Sequence, residues 1–261
     1  MFPLSDDNPE PGVPIVTWSL IGACVAVFLF QMSLSPADAE KAVRVYGMVP
    51  AAVFGPATSA GAAAPVPAWA TILTSMFMHG GLAHIGGNML YLWIFGDNVE
   101  LAMGRLRFLA FYLICGAIAA LAQGLQAPAS DVPLIGASGA ISGVLGAYLM
   151  LHPFARIRVA IMPFPLFIRV MIIPAIVVLG FWFVLQFLSG MMVQTDKGGV
   201  AFWAHVGGFA AGMTLVPFFR KSGVTLFRRE PARVFDARRP GGDGRDETVG
   251  PWGRRRGPWD R

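Results

Sequence analysis

Ser138, in the run Gly136-Ala137-Ser138-Gly139, and His205, in Ala204-His205-Val206-Gly207-Gly208, are the residues of this chain whose types and settings best suit chemistry. A serine hydroxyl is a weak nucleophile until a base takes its proton, and a neutral imidazole is the usual base near neutral pH. Attack on a carbonyl builds negative charge on oxygen, which needs hydrogen-bond donors fixed in advance. The backbone N–H of Ser138, next to Gly136 at a helix amino terminus, offers one donor and a favourable dipole. His84 and Asn88 are spaced i,i+4, so they project from one helix face and offer more. His79 lies five residues before His84, about 140° away on a helix, so it is expected to act from the loop as a further member of this polar network.

These residues need elements to hold them, and the composition says what kind. Of 261 residues 55% are hydrophobic and 13% charged, with a mean hydropathy of +0.60. A soluble domain of this size carries roughly a quarter charged residues. Apolar stretches of about twenty residues recur, each long enough to cross a hydrocarbon core of roughly 30 Å. The chain is read as an all-α polytopic membrane protein with six spans, near 14–34, 83–103, 105–126, 136–151, 170–190 and 201–219. Residues 1–13 form an acidic leader, 14–219 the membrane domain with a long external loop at 35–82, and 220–261 a tail. Within the loop, Ala37 to Val53 suits an interfacial helix and Pro56 to Pro67 an irregular segment, while Trp69, Phe77 and Met78 suit return to the membrane interface.

Lys and Arg in the short loops set the orientation. Arg105, Arg107, Arg156, Arg158, Arg169 and the basic tail fall on one side, and the other side holds Lys41, Arg44 and Lys197. Both termini are therefore expected in the cytoplasm, and the second, fourth and sixth spans run inward from the outer face. That topology brings His84, Asn88, Ser138 and His205 to similar depth near the outer surface. Gly139 and Gly143 on the fourth span, with Gly208 and Gly212 on the sixth, let two backbones approach closely enough for a serine and a histidine to hydrogen-bond.

Other features read as structure. Cys24 and Cys115 fall inside apolar runs, away from any base, and are packing residues. Ser142 is also read as packing, and His152 lies at the wrong end of its span. Glu100 is read as structural, pairing with Arg105 or capping amides. Phe181, Trp182, Phe183 and Phe187 of the fifth span are read as lipid-facing surface. The tail carries twelve basic against six acidic residues, is rich in Gly, Pro and Arg, and cannot bury a core, so it is expected to be disordered against anionic headgroups. Internal repeats are not evident, which weakens a transporter reading. A metal centre is not expected either, because H-E-x-x-H is missing.

The blocks His79 to Asn88 (H-G-G-L-A-H-I-G-G-N), Gly136 to Gly139 (G-A-S-G) and Ala204-His205 with Gly208 resemble the signatures of the rhomboid intramembrane serine proteases, in order and across the six-span core. The resemblance implies a six-helix rhomboid-like bundle. It further implies a Ser138–His205 dyad with no third carboxylate, and His84 and Asn88 at the oxyanion site. It also implies cleavage of single-span or polytopic membrane proteins near the outer face, with no cofactor, metal, nucleotide or nucleic acid, and a fifth span bordering the path of the substrate. The chain departs from many relatives in having no Trp-Arg pair in its first external loop. The alternative is a non-catalytic rhomboid-like protein that binds membrane clients, for which loss of the serine or histidine would be expected. With no targeting leader in view, a bacterial inner membrane is the expected location.

Overall fold

The computed structural model describes residues 2–8, 12–55, 65–164, 167–192 and 199–228. The tail from 229 onward, most of the Ala/Gly/Pro-rich part of the external loop (56–64) and Lys197 lie outside the described residues. The chain opens with strand β1 (Phe2–Asp6), then helices α1 (Ile15–Ser33), α2 (Pro36–Tyr46), α3 (Pro50–Phe54) and α4 (Ala68–Thr74), the last continued by a 3-10 turn, Ser75–Phe77. Helices α5 (Leu82–Met103), α6 (Arg105–Gln126) and α7 (Ser138–Leu151) follow. Strands β2 (Arg156–Phe164) and β3 (Phe167–Pro174) lead into α8 (Ala175–Met192) and α9 (Phe202–Phe219).

Among the described residues four helices, α1, α6, α8 and α9, are long and apolar enough to cross a membrane. Helix α5 has the length, 22 residues, but carries Asp97 and Glu100. Helix α7 has only 14 residues, a rise of about 21 Å that falls short of a hydrocarbon core. It is buried over nearly its whole length, packed between α5, α6 and α9. A helix so short and so enclosed must begin inside the bundle, and its first residue is Ser138.

The fold is mostly helical, in keeping with the all-α expectation, with one small addition outside it. A three-stranded antiparallel sheet, ordered β1-β2-β3, adjoins the helices. Phe2 pairs with Ala160 and Asp6 with Ile157, so the start of the leader is a strand of the folded unit. The alternation Arg156-Ile157-Arg158-Val159 has the period of two that suits a strand with one covered face, and Ile157 and Val159 are buried. The run Val170 to Ile173, β-branched except at Met171, lies in the edge strand beside it, which corrects the start of the fifth apolar helix from 170 to Ala175. A hydropathy window cannot separate an apolar strand from the helix that follows it.

At the other end of the bundle, the long loop is pinned to the segment before Ser138. Met48 and Leu134 exchange backbone hydrogen bonds, and the Ala51 N–H donates to Ser130. Helix α2 lies in the stretch expected to be interfacial. Ser35 caps it through the Asp38 N–H, Pro36 occupies its first turn and Glu40 pairs with Arg44 four residues on. Glu100, 1% exposed, caps a helix from a distance: its carboxylate accepts the N–H groups of Val16 and Thr17 at 3.0 and 2.7 Å and the Thr17 hydroxyl at 2.8 Å. The partner is thus the positive end of α1, not Arg105. The tail is also docked at its start. Lys221 donates to the carbonyl oxygens of Leu101 and Ala102, and the amides of Phe227 and Arg228 reach Met150 and Leu151.

Candidate active site

Helices α7 and α9 meet backbone to backbone. A Cβ on Gly208 would run into the carbonyl oxygen of Gly139, and one on Gly212 into that of Gly143. A Cβ on Gly139 would lie 2.6 Å from Ala119 of α6, and one on Gly143 would lie 2.5 Å from Cys115. The missing side chains of Gly208 and Gly212 thus admit the α7 backbone, and those of Gly139 and Gly143 admit α6. The consequence is a hydrogen bond between side chains 67 residues apart: Ser138 Oγ lies 2.9 Å from His205 Nε2.

Each partner is held from behind. The Trp203 and Ala204 N–H groups at the start of α9 donate to Gln123 Oε1 at 3.1 and 3.2 Å, so a side chain of α6 caps the helix that carries His205. The other ring nitrogen of His205, Nδ1, lies 2.7 Å from Gln186 Oε1 of α8, and the Trp182 ring lies 5.8 Å from the imidazole. Gly136, with φ +122°, turns the chain into Ser138, and its N–H donates to the Ser75 carbonyl at 2.9 Å. A Cβ there would be strained and would sit 2.7 Å from His84 Nε2, so only glycine fits. Ser142, which also lines the chamber beside Ser138, donates back to the Ser138 carbonyl at 2.7 Å.

The Ser138–His205 pair opens into a cavity of about 680 Å³, lined among others by His84, Asn88, Tyr91 and Trp182. His84 Nδ1 accepts the Gly80 N–H at 3.3 Å, which leaves the hydrogen on Nε2, the nitrogen nearer Gly136. Asn88 is buried with its amide nitrogen unpartnered. A buried donor without an acceptor is costly unless a ligand or water fills the place. Two donors therefore face one chamber beside a serine–imidazole pair. The group can deprotonate a hydroxyl and stabilise an oxyanion.

His79 stands apart from that chamber. It is 2% exposed, its backbone N–H and carbonyl are clamped by Gln31 of α1, and its ring meets His84 edge-on at 5.2 Å. Burial, and then the neighbouring His84, pull it down from 6.5 to about 4. It buttresses His84 and does not line the cavity. The aromatic group of α8 divides, correcting the reading that all four are lipid-facing: Phe181 and Phe187 are exposed, Phe187 with an edge contact to Trp203, while Trp182 tilts onto His205 and Phe209 and Phe183 stacks on Phe209. Among the described residues no group of three His, Cys, Asp or Glu is arranged to hold a metal ion.

The model of the Rhomboid domain family matches residues 67–222, the stretch that contains α5 through α9 and all of the cavity's polar groups. The chain belongs to the rhomboid family. It is 34% identical to Rhomboid protease GluP of Bacillus subtilis over 148 residues, 55% of this chain and 25% of that one. It is 31% identical to Rhomboid-related protein 2 of Mus musculus over 148 residues, 57% and 47% of the two chains. Rhomboid protein 1, mitochondrial, of Saccharomyces cerevisiae is 37% identical over 99 residues, 36% of this chain and 29% of that one. The chain thus spans less than half the length of each of these rhomboid relatives, and it is an integral membrane protein of their family.

Proposed function

We propose that this rhomboid is an intramembrane serine endopeptidase that cuts transmembrane segments of other membrane proteins, with Ser138 as nucleophile and His205 as general base. The observation that carries the reading is the 2.9 Å contact between Ser138 Oγ and His205 Nε2 inside a chamber that also holds an unpartnered Asn88 amide. His205 Nε2 takes the hydroxyl proton as Oγ bonds to the scissile carbonyl carbon. The new oxyanion is met by the Asn88 amide, His84 Nε2–H and the first-turn amides of α7, which lack intrahelical partners. His205 then gives its proton to the leaving amine, and the acyl group stays on Ser138. Water, deprotonated by His205, attacks the ester and frees the serine.

The short α7 supports a reaction recessed from the membrane surface. The Lys and Arg bias of the loops supports cleavage near the outer face with both termini cytoplasmic, as in a bacterial inner membrane. The test is cleavage of a labelled single-span substrate by purified protein in lipid, with Ser138→Ala and His205→Ala in parallel and a chelator as control. Each variant is expected to lose ~10⁴-fold or more in rate, chelator having no effect. Wild-type rates in Ser138→Ala would overturn the assignment. Silence in every sample across several substrates would transfer it to a client-binding rhomboid.

A further inference from the structure

Helix α8 is apolar throughout apart from Gln186 and Ser189, and it buries the smallest share of any membrane-length helix, 11% against 44% for α6. A long amide side chain on such a helix is expensive in lipid unless its polar atoms are satisfied. Gln186 stands one turn beyond Trp182, on the same inward stripe as Phe183 and Gly190. Its Oε1 lies 2.7 Å from His205 Nδ1, so both ring nitrogens of the histidine are engaged, one by the serine and one by the amide.

The two contacts fix each other's chemistry. An amide oxygen only accepts, so it selects the tautomer with hydrogen on Nδ1. That tautomer leaves the Nε2 lone pair facing Ser138 Oγ, the arrangement a general base needs. In the opposite tautomer Nε2 would donate to the hydroxyl, and no base would be present. A neutral acceptor thus stands where serine hydrolases with a triad carry a carboxylate.

We propose that Gln186 is a positioning residue for the general base, holding His205 in its productive tautomer and orientation from the loosely seated helix α8. The inference rests on reading Ser138 and His205 as a catalytic pair. It makes base strength depend on where α8 sits. The other ties of α8 to α9 include the Phe183–Phe209 stack at 4.8 Å, the Trp182 contacts, the Phe187–Trp203 edge contact at 5.9 Å and the Trp203 indole N–H to the Gly190 carbonyl at 3.1 Å. Movement of α8 away from α9 breaks the Gln186 bond and leaves Nδ1–H without its acceptor.

The experiment is the rate at which a fluorophosphonate probe labels the purified protein in lipid, followed across pH for wild type, Gln186→Leu, Gln186→Glu and Ser138→Ala. The probe reads the nucleophile and its base without needing the natural substrate. Labelling of wild type but not of Ser138→Ala tests the parent reading separately: without that difference the catalytic pair itself fails. Given it, Gln186→Leu is expected to label ~10-fold or more slowly at an unchanged thermal midpoint. Gln186→Glu keeps an acceptor, so it should label faster than the leucine variant. It should also move the acid limb of the pH profile upward, because a carboxylate favours the imidazolium. Wild-type rates and profile in Gln186→Leu would overturn the proposal. If that variant does not fold, a Gln186→Glu profile superimposable on wild type overturns it instead.

Discussion

The two neighbours of α9 are held to it by opposite means. Against α7 the contact is backbone on backbone, with Gly208 and Gly212 seated on the carbonyls of Gly139 and Gly143. Against α8 it is made by side-chain tips: an amide, an indole and aromatic pairs, of which Phe183–Phe209 is stacked. In lipid no hydrophobic force presses helices together, so packing and hydrogen bonds decide which seams are firm. The first seam cannot yield without moving main chain, and it carries the Ser138–His205 distance. The second can part by rotating side chains, and it carries the Nδ1 contact. A fixed nucleophile and an adjustable base follow from that difference.

The hardest blow to the comparison is Gly212→Val. Its new Cβ falls on main-chain atoms of Gly143, which no rotamer can relieve, so the cost should reach or exceed the upper end of overpacking, about 3 kcal/mol. We expect loss of folded, monodisperse protein on size exclusion in detergent. A Gly212→Val protein with a wild-type thermal midpoint would mean that the α7–α9 seam is as soft as the other. Phe183→Ala removes an aromatic stack from the second seam and should cost about 1 kcal/mol beyond its area. The protein should remain folded, and a cysteine placed at Gly190, buried where α8 meets Trp203, should react faster with a water-soluble maleimide. Unchanged reactivity there would show that α8 is firmly seated after all.

The firm seam was legible in the sequence and much of the loose one was not. Glycines at four-residue spacing, with a serine and a histidine at helix starts, carry a pattern that spacing alone exposes. Gln31, Gln123 and Gln186 carry none: each is an amide in an apolar run, and its partner comes from a segment far away in sequence. One signal was available, because a lone amide in a lipid-crossing helix must find a partner, yet the sequence does not say which. His79 shows the converse limit. Its sequence neighbourhood matches the polar network, but burial and the Gln31 clamp turn it away from the cavity. The sheet went unseen because apolar strand residues 170–173 run straight into α8, and because β1, the partner on the other side of β2, begins at residue 2, over 150 positions before it.

That sheet offers the mildest test of the comparison, since β3 passes into α8 without a loop and so roots the softer helix. Asp6 on β1 accepts hydrogen bonds from Tyr148 of α7 at 2.5 Å and from Asn98 of α5 at 2.9 Å. Burial pushes its carboxyl from the ordinary 3.8 up to about 7; the Tyr148 hydroxyl opposes that rise, and Asp97 and then Asp7 add to it. The folded strand therefore holds a proton that the undocked strand gives up near pH 4. Docking is strongest at low pH, weakens as pH rises from about 4 to about 7, and levels off above. The Asp7 amide, which donates to the Arg156 carbonyl at 3.0 Å, reports it directly. Corrected for intrinsic exchange, its hydrogen should exchange faster at pH 8 than at pH 5.5, and Asp6→Asn should flatten that dependence while the Gly190 cysteine stays as reactive as before. Equal pH dependence in both proteins would remove Asp6 from the strand's anchorage. A Gly190 cysteine that follows the Asp7 amide would instead show the strand's loosening passing up β3 into α8, and the soft seam would then answer to both ends of the molecule.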